Sequence, residues 1–453
     1  MATSAAAAVT VVEETLAPLP PSALEWVLDG SSTSAADPPR PRAAWCCACC
    51  EDPTTTTTST SNNDNSDAGT PPPAPLVLAL ASGRRVLGLT SDDGAWGSRR
   101  EHGARAGVTA LLWIELDFGG DANWFLVLGD EDGCVCLLDR AFGVVYETRV
   151  HSSPVLSIRA NNLTMGARKD ATAQGLTVLC EDAVSLIHVE DLLRIYQNWK
   201  AKRYRSSADF ARYDLSGAMG RAADAVAVGY APSGLRGEVM AGEGGAGSDR
   251  RRMRVLVGGA DPALVSLHLD KAAAITAASL LSLALDSTPI VGKIKQRLFR
   301  RKDEDLKQVA ATAVPFVDPK RRIFSLALAP DYPLVACADS LGRVLVVDAA
   351  NFVVTRVLKG YRDAETNWLY APGDRALVLV VVAPRRKQVE VWDTFGGRKV
   401  KHFACRSGDY LAAQPYTLTA QPSPRAHGCE AAIKLALTEE GGLLLSRIAL
   451  RRK

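Results

Sequence analysis

No apolar stretch of this sequence is long enough to cross a bilayer. The longest, Ala376–Ala383, suits a buried strand instead. Met1–Leu19 contains no lysine or arginine and runs into Glu13-Glu14, a composition that predicts no secretory signal. Without such a signal the ten cysteines read as reduced thiols of a cytosolic protein. The six histidines (His102, His151, His188, His268, His402 and His427) show neither HxH nor HExxH spacing. There is no GxSxG elbow, and Gly242–Gly247 lacks the Lys-Ser/Thr pair of a phosphate-binding loop. These absences predict a protein that is not an enzyme and carries no cofactor and no metal. A formal net charge of +3 is nearly balanced, which argues against a polybasic nucleic-acid binder.

What is present is a repeating strand pattern. Apolar residues make up 47% and charged residues 23% of 453 residues, normal for a chain that buries a large core. That length fits two or three ordinary domains, or one propeller of about seven blades at roughly 45–50 residues each. The stretch from Ile323 to Phe403 decides between them. Phe324–Ala329, Leu334–Ala338, Arg343–Asp348 (RVLVVD) and Val353–Leu358 are short strand-forming runs, separated by Pro330-Asp331 and Asp339–Gly342 turns. The middle of the unit recurs as Ala376–Ala383, a basic turn Pro384–Lys387, and Val389–Asp393 (VEVWD). Both third runs end in Asp, and the second ends in Trp-Asp as a WD-type blade does.

The same third-strand pattern aligns along the chain at Arg85–Thr90, Cys134–Asp139, Val184–Glu190, Leu264–Asp270, Arg343–Asp348, Val389–Asp393 and Leu443–Leu450. The fold class is therefore all-β, a seven-bladed WD-like β-propeller with helical insertions. Residues 1–22 read as a disordered leader and 23–453 as a single propeller domain. Within it, 37–75 is a disordered loop rich in Pro, Thr, Ser and Asn, and 191–221 and 271–322 are insertions. Ring closure is expected to mix a strand near Leu24–Leu28 with blade material close to the C-terminus.

Leu341–Asn351 (LGRVLVVDAAN), Lys359–Ala364 (KGYRDA) with Trp368 after it, and Ala383–Trp392 (APRRKQVEVW) carry a resemblance. In that order and spacing they resemble the N-terminal domain of the regulatory, non-catalytic subunit of the Rab-three GTPase-activating protein complex. The last third of the chain resembles that family well, the N-terminal half loosely. The resemblance implies a non-enzymatic regulatory or scaffold subunit in membrane traffic. Its expected partners are the catalytic subunit of the complex and, through the complex, a Rab GTPase. It also implies hydrolysis activation, with nucleotide exchange as a further activity, and a cytoplasmic site of action peripheral to the endoplasmic reticulum. The alternative is a free-standing propeller scaffold for other membrane-traffic partners.

Two stretches are candidate contact sites. Gly360–Trp368 reads as the loop linking two blades, with Tyr361, Arg362 and Trp368 as a partner contact and Asp363 able to fix the loop against Arg362. Arg385, Arg386 and Lys387 in the next hairpin turn extend that surface. Lys293–Lys302 (KIKQRLFRRK) places Lys293, Lys295, Arg297, Arg300, Arg301 and Lys302 beside an apolar face of Ile290, Ile294 and Leu298. Such a helix suits an anionic membrane or an acidic partner groove, or else lies on the propeller with its charges in water. The cluster Cys46, Cys47, Cys49, Cys50 offers one CxxC knuckle, half of what a structural zinc site uses. Zinc, S-acylation and an unliganded tail all fit it.

Overall fold

The computed structural model describes residues 9–18, 46–51, 76–92, 95–117, 122–161, 175–202, 210–231, 252–270, 311–330, 332–371, 376–406, 409–412, 416–419, 431–437 and 443–452. Their strands form seven antiparallel sheets of at least four strands each, the blades of an all-β, seven-bladed β-propeller. The first blade runs Cys46–Glu51, Leu76–Ser82, Arg85–Asp92, Ala95–Gly103, and the second Val108–Asp117, Ala122–Asp130, Cys134–Leu138, Val144–Arg149. The third is Val155–Asn161, Gly175–Cys180, Ala183–His188, Phe210–Asp214, and the fourth Arg221–Ala231, Arg252–Ala260, Leu264–Asp270, Ala311–Phe316. The fifth is Ile323–Leu328, Leu334–Asp339, Arg343–Asp348, Val353–Lys359, and the sixth Glu365–Ala371, Ala376–Ala383, Gln388–Asp393, Lys399–Ala404. The seventh orders Tyr410–Leu411, Ala431–Leu437 and Leu443–Arg452 from its inner side and takes its outer strand, Val9–Pro18, from the other end of the chain.

Each third strand read from the sequence is the third strand of a blade. The aspartates that end them have a common task. Asp139 accepts backbone N–H bonds from Ala141 and Gly143, both at 2.8 Å, and Asp348 accepts from Ala350 at 2.8 Å. Asp393 accepts from Phe395 at 3.1 Å. A short acceptor side chain at this place satisfies amides that have left the ladder, so it stops the strand and shapes the turn.

Several expectations are corrected. The stretch read as a leader contains the strand Val9–Pro18, paired antiparallel with Leu443–Arg452 from Val9 opposite Arg452. Buried Lys434 fastens it, reaching Glu13 at 2.5 Å and Asp409 at 3.7 Å. The stretch read as a 37–75 loop contains Cys46–Glu51, paired with Leu76–Ser82. Both insertions are shorter than expected, because Phe210–Asp214 and Ala311–Phe316 are fourth strands of their blades. Each insertion thus parts a third strand from a fourth. The first opens with the helix α1 (Val189–Lys200), which buries Leu192, Leu193, Ile195 and Tyr196. Residues 271–310 and the expected strand Leu24–Leu28 lie outside the described residues.

The chain divides into two compact units: Met1–Val155 with Lys359–Thr417 and Ser423–Lys453, and Leu156–Leu358 with Leu418–Pro422. In the first, Val378, Val380, Val382, Val389 and Val391 of the sixth blade pack with Ala432, Ile448 and Leu450 of the seventh. Ala376–Ala383 is buried along its whole length, so it is apolar at every position rather than alternating. Each such valine contributes up to about 1.5–3 kcal/mol. Phe142 seats its ring against Gly88, where a Cβ would come within 2.3 Å of it, and meets buried Trp113 edge-on with centroids 6.3 Å apart.

The second unit carries a buried polar pin. Asp224, in the first strand of the fourth blade, receives Arg159 of the third blade at 2.6 and 3.2 Å. It also accepts the backbone N–H of Leu326 in the fifth blade at 2.8 Å, and that of Ala225 at 2.9 Å. One carboxylate therefore registers three successive blades, and its burial is tolerated because its acceptor sites are used.

Candidate protein-interaction surface

The link from the fifth blade to the sixth is shorter than expected. It turns at Gly360 (φ 88°) and Asp363 (φ 56°), and the first strand of the sixth blade begins at Glu365. Trp368 lies inside that strand opposite Leu379, with 0% of its surface exposed. Tyr361 is 2% exposed. Neither is the surface anchor expected of it; both pack in the blade. Tyr, Arg and Trp enrich interfaces and cores alike, and spacing does not separate the two until strand parity is known.

Tyr361 is held by Glu390, a fully buried carboxylate in the third strand of the same blade. The Tyr361 hydroxyl donates to Glu390 Oε2, and Trp392 Nε1 donates to the same oxygen at 3.2 Å. Lys399 Nζ and Arg386 Nη2 each lie 3.4 Å from Oε1. The Arg386 guanidinium also covers the Tyr361 ring, 5.0 Å from its centroid. Burial pushes the Glu390 carboxyl up, but the Tyr361 hydroxyl, Arg386 and Lys399 outweigh it and hold it below the ordinary glutamate value. Burial, and then the neighbouring carboxylate, push the Tyr361 phenol up to about 12.

This cluster joins two turns at one end of the blade. The second is the tight helical turn Pro384–Arg386, closed by Lys387 in the left-handed region (φ 54°). Across the gap Arg385 Nε donates to Asp363 at 2.6 Å, both side chains more than half exposed. Such a surface pair contributes no more than about 1 kcal/mol, so the buried Tyr361–Glu390–Arg386 contact carries the junction. Arg362, Asp363, Arg385, Arg386 and Lys387 remain at the surface. The structure thus brings together the two turns that the sequence joined only by order, and it removes the two aromatic rings from the exposed face.

Glu390 was not singled out from the sequence, although a signal for it exists. A carboxylate between two apolar residues of a strand (Val389-Glu390-Val391) must find donors if its face is covered. The basic stretch with Lys293, Lys295, Arg297, Arg300, Arg301 and Lys302 lies outside the described residues. Cys46, Cys47, Cys49 and Cys50 are placed by their backbone alone, in the first strand of the first blade, paired with its second.

Comparison with known proteins gives three findings. A family model described as the Rab3 GTPase-activating protein regulatory subunit N-terminus matches residues 77–411. The match takes in both turns and the whole sixth blade. A Caenorhabditis elegans protein named Rab3 GTPase-activating protein regulatory subunit is 40% identical over 78 residues, 17% of this chain and 6% of that protein. The chain thus spans only a small part of that relative's length. Among solved structures, Saccharomyces cerevisiae Sqt1 aligns over 82% of this chain and 80% of its own at 10% identity and a TM-score of 0.44. BBS1N, solved in complex with ARL6DN, aligns over 82% of this chain and 86% of its own at 11% identity and a TM-score of 0.45. Likenesses at these scores carry no functional weight.

Proposed function

Because the chain belongs to the Rab3 GTPase-activating protein regulatory subunit family through that family's N-terminal domain, we propose that it is a non-enzymatic subunit that binds a catalytic GTPase-activating partner. The family match over residues 77–411 is the observation that carries this reading. In it, the chain contacts the catalytic subunit through the turn pair of the sixth blade, with Arg362, Asp363, Arg385 and Arg386 as the exposed groups. A Rab GTPase is reached through the complex. The work is done at the cytoplasmic side of membranes, the endoplasmic reticulum among them, and extends to nucleotide exchange. The basic stretch Lys293–Lys302 adds a peripheral membrane contact.

Accelerating GTP hydrolysis needs a group placed in the nucleotide site, commonly an arginine that stabilises the transferring charge. In the sixth blade, Arg386 is committed to Tyr361 and Glu390, and Arg385 to Asp363. The test is single-turnover hydrolysis by a Rab with the purified chain, with the catalytic subunit, and with both. The expected result is no change with the chain alone and a changed rate with both. Stimulation by the chain alone that is lost on one Arg→Ala change would overturn the reading. Recovery of coat or tether components from native cytosol, without a catalytic subunit, would favour the free-standing scaffold.

A further inference from the structure

We propose that the tied turns of the sixth blade form a preorganised docking site for an acidic, carboxylate-rich segment of a partner protein. The inference rests on the regulatory-subunit reading only for the partner's identity, which would then be the catalytic subunit; the chemistry stands on the surface itself.

Four cationic side chains, Arg362, Arg385, Arg386 and Lys387, are exposed on two turns that would be independent in an unbraced hairpin. The two turns carry one carboxylate of their own, Asp363, exposed and held by Arg385; Glu390 beneath them is buried and closed to a ligand. The surface is therefore left with an excess of positive charge. Its position is fixed from beneath. Tyr361 anchors the first turn to Glu390, and Glu390 with the Tyr361 ring orients Arg386 on the second. A cation held in place before binding loses less rotamer freedom when the ligand arrives.

Three of the four cations are arginines; Arg385 and Arg386 use part of their guanidinium on Asp363 and Glu390, and the remaining N–H donors of these planar groups suit a further carboxylate. The exposed large apolar side chains among the described residues are Val144, Trp199, Val314, Val317, Leu341, Val353, Val357, Phe395 and Val400, and neither turn contains one. Stable attachment to a bilayer usually adds a buried apolar group to the electrostatic attraction, and these turns offer none. Charge complementarity with a protein segment is the better match.

The experiment uses the full chain and a fluorescein-labelled twelve-residue peptide of alternating Glu and Ser as probe. A Lys/Ser peptide serves as control, and vesicles of phosphatidylcholine with phosphatidylserine form a separate arm. The expected result is anisotropy binding to the Glu/Ser peptide and not to the Lys/Ser peptide, weakening at least tenfold in Arg362→Glu/Arg385→Glu/Lys387→Glu and with rising salt. The triple variant should lose no more than about 4 °C of melting temperature, because its three side chains are exposed and the ion pair it removes, Arg385–Asp363, is a surface one. Arg362→Lys/Arg385→Lys keeps the charge and should lose less than the reversal. Equal binding by wild type and triple variant, or binding to the vesicles but not the peptide, overturns the proposal. The catalytic subunit is tested in parallel. If the peptide binds as expected but the subunit does not co-purify, the regulatory reading fails and the site stands. If the subunit co-purifies equally with wild type and triple variant, the site fails and the reading stands.

Discussion

Residues 360–368 divide into buried support, Tyr361 and Trp368, and exposed surface, Arg362 and Asp363, and the division has a measurable signature. Trp368 is 0% exposed and sits in a strand next to an eight-residue apolar strand. Trp368→Ala removes its transfer free energy and leaves a cavity, at a cost of about 3–5 kcal/mol. For a unit of this size each kcal/mol lowers the melting temperature by about 2–4 °C, so a drop of roughly 6–20 °C is expected. Tyr361→Phe keeps the ring under Arg386 but removes one of the donors to Glu390, which should cost about 1–2 kcal/mol. In a double-mutant cycle with Glu390→Gln the two changes should couple by about 1 kcal/mol, because the residues share that hydrogen bond. Arg362→Ala, at an exposed turn position, should stay within about 0.5 kcal/mol of wild type and act on partner binding alone. Calorimetry on the four single variants and the double mutant, with urea titration as a check, reads all of this. A Trp368→Ala shift below 3 °C, or an Arg362→Ala loss as large as that of Trp368→Ala, would refute the division.

Three further outcomes are expected. Asp224→Ala leaves Arg159 and two backbone amides without their acceptor; because Arg159 is a third exposed, the lower part of the range for a broken buried pair applies, about 3 kcal/mol by urea unfolding, and Asp224→Asn should cost less. Glu390 has its folded carboxyl below the ordinary value of 4.5, so its charge stabilises the fold above that pH and the benefit fades as pH falls through the folded value. The stability gap between wild type and Glu390→Gln should therefore be full at neutral pH and shrink below about pH 4.5; a gap that widens in acid would contradict the assignment. Changing Lys293, Arg297 and Arg300 to Glu should abolish co-sedimentation with anionic liposomes at low salt, and unchanged sedimentation would reduce that stretch to a solvated face.

Much of the architecture was legible because local chemistry marks it. Third strands such as Arg343–Asp348 are apolar runs stopped by an aspartate that caps the following turn, and both the run and its stop lie within a few residues. What escaped depends on partners far along the chain. Val9–Pro18 is strand-forming in composition, but its ladder is Leu443–Arg452, at the opposite end of the sequence. Cys46–Glu51 reads as a thiol cluster until Leu76–Ser82 is set beside it. Trp368 and Tyr361 were legible as important residues but not as buried ones, since burial depends on which face of a strand the next blade covers. Glu390 escaped for a related reason: only the fold brings Tyr361, 29 positions earlier, to its carboxylate.

The energetics of Glu390 also bear on what the sixth blade is for. Enclosing a carboxylate costs several kcal/mol, and even a well-matched set of donors often only recovers that cost relative to an apolar side chain of similar size. Stability is therefore a weak account of this residue. Position is a better one. An apolar side chain at 390 would fill the same volume in the strand, but it would neither hold the Tyr361 hydroxyl nor draw Arg386 back over the ring. The two turns would then meet only through the exposed Asp363–Arg385 pair, which is screened by salt and worth little. A buried charge that braces exposed charges makes sense where those charges must meet a partner in one arrangement. On this argument Tyr361→Phe/Glu390→Met, which removes donor and acceptor together, should leave the melting temperature near that of wild type while weakening capture of the acidic peptide. Equal loss of both would mean that the cluster serves packing and nothing beyond it.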